Sequence, residues 1–185
     1  MDIVARAKGL IMQPATEWQA IAAEPGDTKS LFMNYAVPMS AIPAVAGLVG
    51  GLVFSAMLPF RLPLMSLVLS SIASYVLGLV GLFVLGKIIQ AVAPKFGGSG
   101  DELGAMKLAV YSPTASWLAG IFAVLPPLAV LGLLGLYSIY LFYLGVPVVT
   151  KVPADKSVVF SLVGVVCAVV LAMVVGAVGA TFAHI

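Results

Sequence analysis

The residues with chemical potential in this chain are almost all uncharged. His184, the single histidine, has no His, Cys or carboxylate at metal-ligand spacing, and Cys167, the single cysteine, has no disulfide partner. No Asp, Glu, Lys or Arg interrupts the apolar stretches Leu31–Leu58, Leu62–Leu85, Leu108–Leu125, Leu128–Val149 and Ser157–Phe182. Proton relays and carboxylate pairs inside a bilayer need such groups, and a serine nucleophile needs a neighbouring base. No catalytic residue, metal ligand or cofactor site is therefore expected, and the chain is read as a non-enzyme. What remains is hydroxyl and amide polarity gathered towards one end of the stretches. It comprises Asn34, Tyr35 and Ser40, then Tyr111, Ser112, Thr114, Ser116 and Trp117, then Tyr137, Ser138, Tyr140 and Tyr143, and finally Ser157 and Ser161.

Two readings of this cluster stand side by side. In the first it supplies hydrogen bonds between helices, each worth about 0.6 kcal/mol in a membrane. In the second it forms a cytoplasm-facing cavity or partner groove lined by Asn34, Tyr35, Tyr111, Ser112, Pro113, Tyr137 and Tyr140. Pro113 removes a backbone donor inside its stretch, and is expected to kink the helix and open it towards Tyr137 and Tyr140. A charge-free lining suits a neutral or zwitterionic group better than a bare ion.

The elements that would position these residues are membrane spans. A hydrocarbon core about 30 Å thick takes about 20 helical residues, and the five stretches meet or approach that length. With 62% hydrophobic and 9% charged residues, the chain falls far below the roughly 25% charge of a soluble domain. The expected fold class is all-α, a polytopic membrane protein of five transmembrane helices. Length favours two full spans over a re-entrant hairpin across Leu108–Val149, with the turn at Pro126-Pro127. Small residues recur along one face as Ser66, Ser70, Ser74 and Gly78, as Gly47 and Gly51, and as Ala172, Gly176 and Ala180. Such stripes permit close helix approach within the bundle or in self-association.

Eight of the nine Lys and Arg residues fall on one side of this threading, with Arg61 alone on the other. The positive-inside rule then places the N-terminus in the cytoplasm and the C-terminus outside. No dense basic patch marks nucleic-acid binding. The run Gly97-Gly98-Ser99-Gly100 lacks the Gly-Lys-Ser/Thr ending of a phosphate loop, and Ser99 with Glu102 has the spacing of a capping box.

Residues 1–30 read as a cytoplasmic interfacial segment and 31–185 as the transmembrane domain. Ile3, Ala7, Leu10 and Ile11 share one helical face, opposed by Asp2, Arg6 and Lys8. A second helix beginning at Pro14 would carry Trp18 and Ile21 towards lipid, with Trp18 as an interfacial anchor. The charges at Arg6, Lys8, Glu17 and Glu24 leave no uninterrupted apolar core for a cleavable signal peptide.

Several fragments in order resemble one family. They are Ala109-Val110-Tyr111-Ser112-Pro113, Pro126-Pro127, Leu136-Tyr137-Ser138-Ile139-Tyr140, Leu144-Gly145-Val146-Pro147 and Val152-Pro153-Ala154-Asp155-Lys156. Together they resemble the bacterial branch of the Yip family, the Ypt/Rab-interacting-protein-like membrane proteins. The resemblance runs from the Pro14–Glu24 stretch through the fifth span and implies a five-helix bundle with a cytoplasmic N-terminus. It also implies a place in a bacterial inner membrane and a role in membrane organisation or trafficking-type partner recruitment. The Asp-Leu-Tyr-Gly-Pro signature of eukaryotic members is not present, Asn34-Tyr35-Ala36-Val37-Pro38 being a loose echo, which argues against carrying over a GTPase partner. The expected partners are the lipid bilayer and proteins or a second copy held through small-residue faces, and the alternative function is small-molecule or lipid handling through the polar cavity.

Overall fold

The computed structural model describes residues 2–57 and 63–181; Arg61 and His184, which entered the threading argument, lie outside them. Among the described residues nearly every segment is helical and none is a strand. Helix α1 (Ile3–Met12) starts where the Asp2 carboxylate accepts from the amides of Val4 and Ala5, at 2.9 and 3.2 Å. Helix α2 (Pro14–Ala23) starts on Pro14, whose missing N–H costs nothing in a first turn. Asp27 caps the next helix by accepting from Ser30 N at 2.9 Å.

That helix, α3 (Thr28–Met57), runs on through a π-type turn at Phe32–Ala36 and past Pro43. Helix α4 spans Leu64–Val92 and closes in a 3-10 turn at Ala93–Phe96, with Gly97 in the left-handed region at φ 83°. Helices α5 (Glu102–Tyr111) and α6 (Thr114–Ala119) are separated at Pro113. The 3-10 segments Gly120–Val124 and Pro126–Leu136 follow, meeting at an extended Leu125. Helix α7 (Tyr137–Gly145) ends in a π-type turn at Val146–Thr150, and α8 covers Ala154–Thr181.

Four continuous helical runs, Thr28–Met57, Leu64–Phe96, Pro127–Thr150 and Ala154–Thr181, are long and apolar enough to cross a membrane. The remaining apolar stretch is interrupted at Pro113. From Leu108 to Val124 it nevertheless reaches about 28 Å, because its last turns adopt the 2.0 Å rise of a 3-10 helix instead of 1.5 Å. A short segment is thus stretched towards bilayer thickness.

Loop chemistry departs from expectation at Ser99. The cap of α5 is Asp101, which accepts from Gly104 N at 2.7 Å, while Ser99 Oγ accepts from Asp101 N. Ser99 N is committed to the Thr150 carbonyl at 2.6 Å, and Glu102 pairs with Lys87 at 2.8 Å. The loop is thereby pinned to the end of the π-type turn, which leaves Ser99 too far from the helix start to cap it.

Lys151 holds φ 60°, the left-handed region that a Cβ disfavours by about 1 kcal/mol. Lys151→Gly is expected to raise the midpoint of thermal unfolding in detergent by a few degrees. A lower midpoint would show that the bond from Lys151 Nζ to Val148 O outweighs the backbone strain.

Candidate functional site: an aromatic and ionic core beneath the N-terminal helices

The hydrophobic core sits at the end of the bundle that carries α1 and α2, around Trp18, Tyr35, Leu108, Tyr111, Leu141 and Phe160. Away from it, α4 and α8 turn large aliphatic side chains outward, as helices solvated by lipid do.

Trp18 is 0% exposed and does not reach outward as a lipid anchor. Its indole stands edge-on to the Tyr111 ring, centroids 6.4 Å apart, and rests on Gly145. A Cβ on Gly145 would lie 2.7 Å from the indole and 2.7 Å from Leu108, so the seat exists only because residue 145 has no side chain. Ile21 is equally buried. The buried face of α1 comprises Arg6, Ala7 and Leu10, so Arg6 belongs to the inner face and not to the polar face with Lys8.

A buried arginine must be paired, because an isolated charge away from water is costly. Arg6 Nη1 donates to Glu17 Oε1 at 2.5 Å and Nη2 to Glu24 Oε1, and the guanidinium lies 5.7 Å from the Tyr111 centroid. Burial works against its charge, yet the Glu24 hydrogen bond and the charges of Glu24, Tyr111 and Glu17 outweigh it and raise its pKa. On the other side of α2, Lys107 Nζ donates to the carbonyls of Ile21 at 2.7 Å and Glu24 at 2.5 Å. Those carbonyls belong to the helix end, where a cation also meets the negative end of the helix dipole. Burial draws the Lys107 pKa below the ordinary lysine range, with Glu24 and Asp101 opposing. The N-terminal pair is thus clamped from two directions.

Below this clamp the polar cluster is filled by its own side chains. Tyr35 packs on Tyr111 with centroids 4.7 Å apart, and its hydroxyl meets Thr114 Oγ1 at 2.8 Å. Thr114 Oγ1 in turn donates to Tyr111 O at 2.6 Å, and Ser112 Oγ donates to Leu108 O at 2.6 Å. The hydroxyls flanking Pro113 are therefore spent on their own backbone. Tyr137 is half-buried, donates weakly to Ile11 O at 3.4 Å and stacks beside Tyr140, whose ring is exposed. Asn34 is exposed, apart from the others.

Pro113 does break the helix, and Ser116 Oγ bonds both Gly135 O and Ser138 Oγ at 2.9 Å, tying α6 to the following limb. One cavity of about 420 Å³ is edged by Ser40, Ser70, Tyr75 and Trp117, and one of about 750 Å³ lies between Ser112 and Pro113, the limb residues Leu136, Ser138 and Ile139, and the helices α4 and α8. Tyr111, Tyr137 and Tyr140 border neither.

The sequence signal for the ionic clamp was the helical spacing of Glu17, Ile21 and Glu24, with Trp18 close by and Glu24 one residue past the end of α2. Two carboxylates beside an apolar helix face ask for a cation, and Arg6 answers, while Lys107 takes the backbone carbonyls at the helix end.

A family model described as the Yip1 domain matches residues 8–177, covering α2, the interrupted third stretch and the long apolar helices up to the last turn of α8. The chain belongs to the Yip family of multi-pass membrane proteins, and its surroundings are a lipid bilayer. No curated protein and no solved structure matches it.

Proposed function

We propose that this Yip-family protein is a non-enzymatic organiser of a bacterial inner membrane, recruiting protein partners through the N-terminal helix pair on the cytoplasmic side. The observation that carries this reading is the clamp itself. Trp18, Arg6 and Lys107 hold α1 and α2 in a fixed pose, so that the outward residues Lys8, Gln13, Thr16 and Gln19 form a preset surface. A prearranged surface lowers the ordering cost of association. Orientation is supported by the eight-to-one asymmetry of Lys and Arg.

The test has two parts. With Cys167 replaced by serine, a single cysteine at Gly98 or Asp155 should resist an impermeant thiol reagent in intact cells, and one at His184 should react. A photo-crosslinking residue at Gln19 should then give discrete protein adducts that vanish when Gly145→Val unseats Trp18. Labelling of the first two positions from outside, or adducts indifferent to Gly145→Val, would remove the proposal.

A further inference from the structure

The small-residue stripe of α4 faces empty space in its middle turns. Gly78 borders the cavity of about 750 Å³, as do Gly132 on the 3-10 limb and Gly176 on α8. A Cβ built on any of the three meets no atom within 4 Å. Elsewhere glycines are used for contact: Gly50 comes so close to Ala123 O that a Cβ would collide with it, and Gly164 does the same with the Phe142 ring. The break at Pro113 explains the gap, since it carries α6 and the limb beyond it away from α4 and onto α3, where Gly120 lies against Pro43.

From these observations the geometry points to a lateral groove that holds one acyl chain of a membrane phospholipid. The groove follows α4 from Ser74 to Leu85, about 16 Å at 1.5 Å per residue. Among the described residues no charged side chain borders it, so none there would pair with a headgroup charge. Of the four serines that border it, Ser112 and Ser116 already donate to Leu108 O and Gly135 O and Ser138 Oγ is paired with Ser116 Oγ, which leaves Ser74 as the main hydroxyl for water, whose binding takes two to four partners. An acyl chain is narrow, apolar and already at that depth.

The proposal is independent of partner recruitment by the N-terminal pair. It is tested in vesicles of palmitoyl-oleoyl-phosphatidylcholine doped with a phosphatidylcholine bearing a mid-chain diazirine, with adducts mapped by peptide mass spectrometry. Adducts are expected at Leu82, Val165 and Leu171, which border the groove and are half-buried, in excess of those at the exposed Val158 and Met173. Gly78→Leu with Gly176→Leu fills open space with a better helix former, so the fold should persist. Groove adducts should fall about tenfold while those at Val158 and Met173 stay. Single Gly132→Leu is the second variant should the pair misfold. Even labelling of all apolar faces, adducts unchanged by filling, water-soluble thiol reagent reaching a cysteine at Gly132, or crosslinks to a second copy would each overturn the proposal.

Discussion

Trp18→Ala should destabilise the folded protein by about 3–5 kcal/mol, the cost of truncating a fully buried aromatic side chain, and should release α1 and α2 from the bundle. The indole is enclosed by Tyr111, Leu108 and Gly145, and its loss leaves a void that the rigid end of α7 cannot close. Trp18→Phe should cost far less. The indole Nε1 has no hydrogen-bond partner among the described residues, so the phenyl ring forfeits area but no bond, and even sheds an unsatisfied donor. Hydrogen exchange of residues 3–23 and thermal unfolding in detergent read the two effects together. If both variants unfold alike, or Trp18→Ala leaves exchange unchanged, the packing account is wrong.

The second large effect is electrostatic. Glu17→Gln with Glu24→Gln leaves the Arg6 guanidinium, which is 7% exposed, with neutral amide acceptors in place of carboxylates, and should cost about 1–3 kcal/mol, since Glu24 is 47% exposed and partly screened by solvent. Adding Arg6→Met removes the charge that needed partners, and an apolar side chain of similar length should recover most of that loss. Thermal midpoints of the double and triple variants decide the matter. A triple variant weaker than the double would mean that Arg6 stabilises α1 through its stacking on Tyr111 and not through the carboxylates.

The spans were legible because length and apolarity alone decide them: nothing but a bilayer accommodates Leu64–Phe96 or Ala154–Thr181. The break at Pro113 was legible for the same local reason, a missing donor. Its direction was not, because that depends on Gly120 meeting Pro43 and Ser116 meeting Ser138, contacts between segments distant in sequence. Trp18 was misplaced because amphipathic spacing distinguishes an apolar face from a polar one without saying whether protein or lipid covers it. Arg6 shows the converse, a charge on the inner face that is tolerated only because Glu17 and Glu24 arrive from the next helix. Tyr35 and Tyr111 were legible as members of one polar cluster, yet the ring contact that joins them follows from packing that no single segment encodes.

The contacts that hold the first two helices have a temporal consequence. Lys107 reaches Ile21 across 86 positions of chain, and Tyr137 reaches Ile11 across 126. At about 5–20 residues per second of synthesis, about 6–25 s pass between the addition of Ile11 to the chain and that of Tyr137. Throughout that interval the apolar faces of Leu10, Trp18 and Ile21 have no seat. They settle only after the segment ending at Gly145 has entered the membrane, so the closing of the N-terminus marks late biogenesis, and a chain arrested before α7 displays an exposed indole to any factor that surveys unfinished membrane proteins.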